Sequence, residues 1–140
     1  MSKRPKPSGF TPAPVFRFGT VDHRLARRSA INEYKRGRIG RLDLCDAHPE
    51  LMRAARAVGR ATETLCPICE EANLVLVTYV FGPRLPAEGK LAAELKDLAE
   101  FNRRNESYTG YVVEACCECR WNHLVRVLPL GGSGSRRHAG

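Results

Sequence analysis

Two C-x-x-C pairs constrain this chain more than any other feature of its sequence. The first pair is Cys66-Pro-Ile-Cys69 and the second is Cys116-Cys-Glu-Cys119. A tight turn places both sulfur atoms of a pair on one side, where backbone N–H groups stabilise the thiolate form that binds metal. Two such turns supply four sulfurs, which suits the closed tetrahedral site of one structural Zn²⁺ ion. We therefore predict that Cys66, Cys69, Cys116 and Cys119 bind zinc.

Cysteines in C-x-x-C pairs can also serve as a redox dithiol, a catalytic zinc site or the ligands of an iron–sulfur cluster. A thioredoxin-type dithiol needs its C-x-x-C at the start of a helix that follows a buried strand, and neither pair has that setting. A catalytic zinc ion needs an open coordination position, and the sequence contains no H-x-E followed by P-C-x-x-C, the signature of the zinc deaminases. An iron–sulfur cluster also binds four cysteines, so the sequence leaves zinc and iron–sulfur both open.

The remaining cysteines raise the question of a second metal site. Cys45 and His48 have ligand-like spacing, and Cys117 and His123 could complete such a site. The simpler interpretation makes Cys45 a small buried apolar residue, His48 an exposed residue in a first helical turn, and Cys117 a bystander that could replace Cys116. Trp121, close after the second pair, is expected to shield the zinc end by packing, with base stacking as the alternative.

The pattern of apolar residues predicts an α+β fold. Strands are expected at Leu74–Phe81, Tyr108–Ala115 and Trp121–Leu128, where β-branched and aromatic residues are dense. With the two C-x-x-C knuckles clamped at one end, they would form a three-stranded antiparallel zinc ribbon. A helix from Glu88 to about Asn105 is expected as an insertion between the first two strands.

Two short basic helices are predicted ahead of the ribbon. The first runs from Val21 to about Lys35, and the second has Asp46 as a plausible cap, Pro49 in its first turn and Gly59 at its end. The predicted organisation is a disordered Pro-rich basic arm at 1–20, the two-helix segment at 21–60, the zinc-ribbon domain at 61–129 and a flexible tail at 130–140.

The positive charge of the chain is concentrated in its first third. Residues 1–41 contain 11 Lys and Arg against 2 acids, or 11 − 2 = +9, whereas residues 42–140 contain 12 against 13, or −1. A localised positive segment attracts polyanions, so RNA or DNA is the expected partner class. The residues expected to contact phosphate are Arg24, Arg27, Arg28, Lys35, Arg36, Arg38 and Arg41.

Several classes of protein are disfavoured. No apolar run approaches the roughly 20 residues that span a bilayer, and Met1–Pro5 lacks the apolar stretch of a secretory signal, so we expect a cytoplasmic protein with reduced cysteines. No nucleophile–base pair and no phosphate-binding glycine loop stands out. We therefore expect neither an enzyme nor a small-molecule substrate.

The two knuckles and three predicted strands resemble the zinc-ribbon class of transcription factors, RNA polymerase subunits and ribosomal proteins, over residues 66–128. Glu70 and Arg120 follow the second cysteine of each knuckle, where that class frequently has glycine. More closely, the run from Leu44 to Leu51, Cys66-Pro-Ile-Cys69 and Cys-Arg-Trp-Asn-His ending at His123 resemble a small actinobacterial family of unknown function, over residues 21–128. That resemblance implies a cytoplasmic protein and supplies no activity.

Two functions follow as hypotheses. The first is an adaptor that associates with nucleic acid, a ribonucleoprotein or the transcription or translation machinery. The alternative is a protein–protein adaptor with structural zinc, docking through a sheet edge or through the helix expected to carry Leu91, Leu95 and Leu98. The hypotheses differ in whether the basic residues form one exposed face or pair with acids such as Asp43, Glu50 and Glu63.

Overall fold

A computed structural model describes residues 21–132 of the chain. The predicted arm at 1–20 and the predicted tail from residue 133 onward lie outside the described residues. Within 21–132 the chain forms four helices and six strands. The helices are α1 (Arg24–Lys35), α2 (Arg41–Leu44), α3 (Pro49–Val58) and α4 (Leu95–Asn102), and the strands are β1 (Val21–Asp22), β2 (Arg60–Leu65), β3 (Asn73–Phe81), β4 (Lys90–Leu91), β5 (Ser107–Ala115) and β6 (Asn122–Gly131).

The strands form one antiparallel sheet, which confirms the α+β class but not the predicted number of strands. Across the described residues the order is β1-β6-β5-β3-β2, and the short β4 pairs with β3. The three predicted strands are the central β3, β5 and β6. The prediction of exactly three strands is wrong, because β2 is an edge strand whose side chains are almost all exposed and show no apolar alternation. β1 and β4 are only two residues long and carry no sequence pattern.

The starts of two helices differ from the predictions for identifiable reasons. α1 begins at Arg24 because Val21 and Asp22 pair with β6. α4 begins at Leu95, not Glu88, because Lys90 and Leu91 pair with β3. Leu91 is thus a strand residue and does not share a helix with Leu95.

α3 runs from Pro49 to Val58 and is followed by Gly59, as predicted. Its N-cap is His48, whose Nδ1 accepts a hydrogen bond from the backbone N–H of Glu50 at 3.0 Å. Asp46, the predicted cap, instead accepts a hydrogen bond from the side chain of Asn122 at 3.0 Å.

The helices cover both faces of the sheet. α3 packs its buried Leu51 and Ala55 in one cluster with Val77 and other residues of β3, β5 and β6. α4 contributes Phe101 to a different cluster that contains Val80. Val77 and Val80 are an odd number of positions apart on β3, so their side chains point to opposite faces. α3 and α4 therefore lie on opposite faces of the sheet.

A third cluster lies at the end of the sheet that carries the cysteine pairs. It combines Ile31 of α1, Leu44 of α2, Leu74 of β3 and Trp121 with Cys66 and Cys116, all of them buried. None of the helices in residues 21–132 is both long and apolar enough to cross a membrane.

Candidate metal centre

The two C-x-x-C pairs are the turns of two neighbouring β-hairpins. Cys66 follows the last residue of β2 and its turn leads into β3, while Cys116 follows the last residue of β5 and its turn leads into β6. β3 and β5 are antiparallel neighbours with Val75 opposite Ala115, so the beginning of β3 lies beside the end of β5. The sheet thus brings both turns to the same end of the molecule.

Each turn directs backbone N–H groups at its first sulfur. The N–H of Ile68 lies 3.4 Å from Cys66 Sγ, and those of Glu118 and Cys119 lie 3.4 Å from Cys116 Sγ. These donors stabilise a thiolate and therefore favour metal binding. Each turn is also closed by a backbone hydrogen bond. The N–H of Cys66 donates to Ala72 O at 2.8 Å, and the N–H of Cys116 donates to Trp121 O at 2.9 Å.

Both turns place a non-glycine residue in the left-handed backbone region. Glu70 has φ +57° and Arg120 has φ +75°, and these are the two positions where the sequence departs from the frequent glycine. The left-handed region costs an L-residue roughly 1–2 kcal/mol. Arg120 is held by Ala47, whose N–H donates to Arg120 O at 3.1 Å and whose carbonyl accepts from the Arg120 guanidinium.

The four sulfur atoms converge as a metal site requires. Cys66 Sγ lies 3.7 Å from Cys119 Sγ, Cys69 Sγ lies 3.6 Å from Cys116 Sγ, and all four lie within 4.8 Å of one another. Four sulfurs about 2.3 Å from a zinc ion would form a tetrahedron with edges of about 3.8 Å. The predicted ligand set is therefore close enough together to hold one metal ion.

Burial controls the protonation of the thiols. Cys66 and Cys116 are fully buried, and Cys69 and Cys119 are half-buried. Burial raises the pKa of Cys66 to about 11, and burial also raises the pKa of Cys119. Desolvation also acts to raise the pKa of Cys69, but hydrogen bonds from the Glu71 backbone and the neighbouring thiols lower it overall. A metal ion must displace protons to bind here.

Trp121 packs behind the cysteines, as predicted. Its side chain is fully buried, so it offers no exposed platform for a base. Its Nε1–H donates to Glu114 Oε2 at 3.0 Å, and the same carboxylate forms an ion pair with Arg27 of α1. Because Glu114 is buried, this pair fastens α1 across the metal end of the sheet.

No second group of three or more His, Cys, Asp or Glu side chains converges in residues 21–132, so the described structure does not support the second metal site. His48 caps α3, and His123 stacks on Trp121 with ring centroids 5.9 Å apart. Cys117 packs half-buried against the α3 cluster and is not among the four converging sulfurs.

Cys45 differs from its prediction, because it is half-buried and its thiol donates to Cys119 Sγ at 3.3 Å. Sequence spacing gave no signal for this contact. The two residues lie 74 positions apart along the chain.

Some of the predicted phosphate-binding residues pair with acidic side chains, and others do not. Arg27 is held by Glu114, while Arg24 pairs with Asp22. Arg36 and Arg38 lie within 3.7 and 3.4 Å of the Glu33 carboxylate. The pairing acids are thus not the Asp43, Glu50 or Glu63 named from the sequence. Among the described residues, Arg28 and Lys35 are exposed and make no ion pair.

Arg41 lies at the metal end and is exposed. Desolvation acts to lower the pKa of its guanidinium, but the nearby sulfurs of Cys119 and Cys45 raise it, and the net direction is upward. Arg41 is therefore a neighbour of the cysteine site and not part of a separate basic face.

The fold and the site together define an α+β protein with an antiparallel sheet and a four-cysteine cluster of metal-binding geometry. The chain belongs to a family of unknown function, DUF5318, whose profile matches residues 16–139. It is 39% identical over 117 residues to the uncharacterized protein Mb0050 of Mycobacterium bovis and to the uncharacterized protein Rv0049 of Mycobacterium tuberculosis, covering 84% of this chain and 85% of each relative. The predicted family resemblance is confirmed. No solved structure matches the chain at a significant level.

Proposed function

We propose that this chain is a binding module stabilised by one structural Zn²⁺ ion held by Cys66, Cys69, Cys116 and Cys119. The observation that supports this is the separation of 3.6 to 3.7 Å between sulfurs of opposite knuckles, close to the edge of a zinc–thiolate tetrahedron. All six cysteines are free thiols, which suits a reducing compartment such as the cytoplasm.

Four thiolates also complete the coordination of zinc, and this favours a structural over a catalytic ion. A catalytic zinc site keeps one position for water or substrate, and a Cys₄ set leaves none. Two of the four cysteines are fully buried, and Trp121 closes the interior side. We therefore propose that the protein binds a partner and is not an enzyme.

Metal analysis of the purified protein tests the zinc proposal. Mass spectrometry under native conditions and elemental analysis are expected to give close to one zinc per chain. Stoichiometric iron with a visible absorption band would instead identify an iron–sulfur cluster. A protein that contains no metal and takes up none after reduction would contradict the proposal.

We propose that nucleic acid is the partner and that α1 provides the phosphate contacts. Arg24, Arg28 and Lys35 are spaced by four and seven residues, so they lie along one side of α1, and all three are exposed. This flank continues the strongly basic first third of the chain. Arg27 is excluded from it because its guanidinium is held by the buried Glu114, whereas the pair of Arg24 with Asp22 lies at the surface and leaves Arg24 exposed.

Two triple variants that remove equal charge test whether nucleic acid binds through α1. Replacing Arg24, Arg28 and Lys35 with Gln is expected to weaken binding of RNA and DNA alike and to reduce the salt slope of log affinity by about 3, since each lost phosphate contact accounts for about 1. The control replaces the exposed Arg53, Lys96 and Arg103 with Gln, which removes the same charge from other elements. Equal weakening by both triples, or no binding at low salt, would contradict the proposal.

A protein partner is the second candidate, and the outer edge of β2 favours it. β2 pairs only with β3, so within the described residues its other edge carries unpaired backbone groups. Leu65 at its end is half exposed. An extended peptide could add to such an edge by strand pairing. The α4 surface is less suitable, because Leu98 packs into the molecule.

A further inference from the structure

The sulfur of Cys45 lies very close to the sulfur of Cys119, one of the proposed metal ligands. Cys45 Sγ is 3.3 Å from Cys119 Sγ, compared with 3.7 Å for Cys66 and Cys119 and 3.6 Å for Cys69 and Cys116. Cys45 is nevertheless outside the four-sulfur group. The site therefore has a fifth thiol that touches one ligand and is not needed for coordination.

The position of Cys45 is built into the fold. The next residue, Asp46, accepts a hydrogen bond from Asn122, and Ala47 exchanges two hydrogen bonds with Arg120. Both partners adjoin the second knuckle. These contacts attach the segment after α2 to the knuckle and hold the Cys45 thiol against Cys119.

Access to solvent separates Cys45, Cys119 and the half-buried Cys69 from the other two ligands, and Cys119 is the accessible ligand that the Cys45 thiol contacts. Cys66 and Cys116 are fully buried, whereas Cys45 and Cys119 are both half-buried. A small oxidant therefore reaches Cys119 more easily than it reaches the two buried ligands. Redox-sensitive cysteines are typically accessible and lie next to a second, resolving thiol, and Cys45 is in that position beside Cys119.

We propose that Cys119 is a site of oxidation by peroxide and that Cys45 is its resolving thiol, so that oxidation joins the two in a disulfide and releases the metal ion. This inference rests on the proposed zinc site, because release of the ion is its consequence. The oxidant is a peroxide such as hydrogen peroxide. A dithiol reductant restores the two thiols.

The reaction balances in two steps. The Cys119 thiolate attacks one oxygen of hydrogen peroxide, the O–O bond breaks, and Cys119 sulfenic acid and hydroxide form. The Cys45 sulfur then attacks the Cys119 sulfur, the S–O bond breaks, and water leaves as the disulfide forms with loss of the Cys45 proton. In sum, one thiolate, one thiol and one hydrogen peroxide give one disulfide, one hydroxide and one water. The sulfurs must approach from 3.3 Å to about 2.05 Å.

Zinc release follows from the loss of one ligand. A disulfide sulfur is no longer a thiolate, so Cys66, Cys69 and Cys116 remain as three ligands. Oxidation between two ligands would need both of them to leave the ion. The pairing of Cys119 with Cys45 requires only one ligand to leave, which favours it as the first disulfide.

The test uses the full-length metal-loaded protein and limiting hydrogen peroxide. A chromogenic chelator follows zinc release, and peptide mapping by mass spectrometry identifies the disulfide. We expect Cys45–Cys119 to be the first disulfide, with one zinc released for each disulfide formed and rebound after reduction by a dithiol. A first disulfide between two of the four ligands, or oxidation of Cys119 with no disulfide, would overturn the inference.

Two variants complete the test. Cys45→Ser, first shown to hold zinc and to melt like the wild type, is expected to release zinc several-fold more slowly at the same peroxide concentration. Cys117→Ser is the matched control and is expected to behave as the wild type. Unchanged release from Cys45→Ser would overturn the inference. Metal analysis of the untreated protein reports on the zinc proposal separately, and the disulfide can be mapped in the wild type without any variant.

Discussion

The two ends of the sheet are stabilised in different ways. At the end near α4, Phe101 packs edge-on against Tyr108 with ring centroids 5.0 Å apart, and Val80 and Leu130 complete an apolar cluster. At the metal end the four cysteines pack with apolar side chains, and the aromatic residues of that cluster are the fully buried Trp121 and the partly buried Tyr34. Apolar burial stabilises the first end, while the second combines apolar burial with four thiols that lie close enough together to hold a metal ion.

The number of chain segments that meet explains this difference. At the α4 end, α4 leads after a short connection directly into β5, so part of the cluster is local in sequence. At the metal end, α1, α2 and both knuckles converge from distant parts of the chain. Ordering many separate segments costs conformational entropy, and the burial of apolar side chains such as Leu74 and Trp121 recovers part of it. The proposed four-thiolate zinc ion would add further stabilisation.

The largest effect is expected from Cys66→Ser, which removes one proposed ligand. Structural zinc contributes on the order of 10 kcal/mol, comparable with the whole stability of a small domain. Zinc content should fall close to zero, and hydrogen exchange should show greater loss of protection at residues 66–72 and 116–121 than at 95–110. Cys117→Ser, outside the ligand set, should retain zinc. Normal zinc content in Cys66→Ser would contradict the proposal that a zinc ion bound by Cys66 stabilises this end of the sheet.

Phe101→Ala tests the α4 end. Truncating a buried phenylalanine typically costs about 3–5 kcal/mol, because apolar contacts are lost and a cavity remains. Denaturant unfolding should show this loss of stability while zinc content stays at one per chain. Leu95→Ala, at an exposed position on the same helix, is the control and should have little effect. Loss of zinc from Phe101→Ala would show that the two ends are not independent.

Glu114→Gln tests how α1 is attached to the metal end. The buried carboxylate pairs with Arg27 and accepts from Trp121, and hydrogen bonds to charged groups contribute about 1.5–3 kcal/mol. We expect a loss of about 2 kcal/mol in the free energy of unfolding, with zinc retained. Glu50→Gln removes a carboxylate that pairs with Arg53 at the surface, and exposed pairs contribute about 1 kcal/mol or less. Equal effects of both substitutions would contradict this role for Glu114.

The smallest effect is expected from Glu70→Gly in the first knuckle. Glycine relieves the left-handed backbone at this position but makes the unfolded chain more flexible, so the net gain should be a few tenths to about 1 kcal/mol. Thermal melting of the zinc-loaded protein measures it. The control is Glu71→Gly, where glycine only adds flexibility and should lower the melting temperature. A loss of stability in Glu70→Gly as large as that in Glu71→Gly would contradict this account of the knuckle.

The sequence alone determined the features that depend on a few neighbouring residues. The C-x-x-C spacing specified the two thiols of each knuckle, because a turn of four residues is a local structure, whereas the pairing of β3 with β5 brought the two knuckles together. The runs that became β3, β5 and β6 were visible because dense apolar and β-branched residues favour buried strands. Pro49 and Gly59 marked the limits of α3 for the same reason, since each residue constrains its own backbone.

Tertiary structure decided the contacts between residues far apart in the chain. β2 became a strand because β3 offered it an edge, although its charged sequence shows no strand pattern. Arg27 was expected to face phosphate and instead pairs with Glu114, 87 positions away. Cys45 reaches Cys119 only because the segment after α2 is hydrogen-bonded to the second knuckle. Local sequence limits which backbone shapes a segment can adopt, but the pairing of strands determines which distant side chains meet.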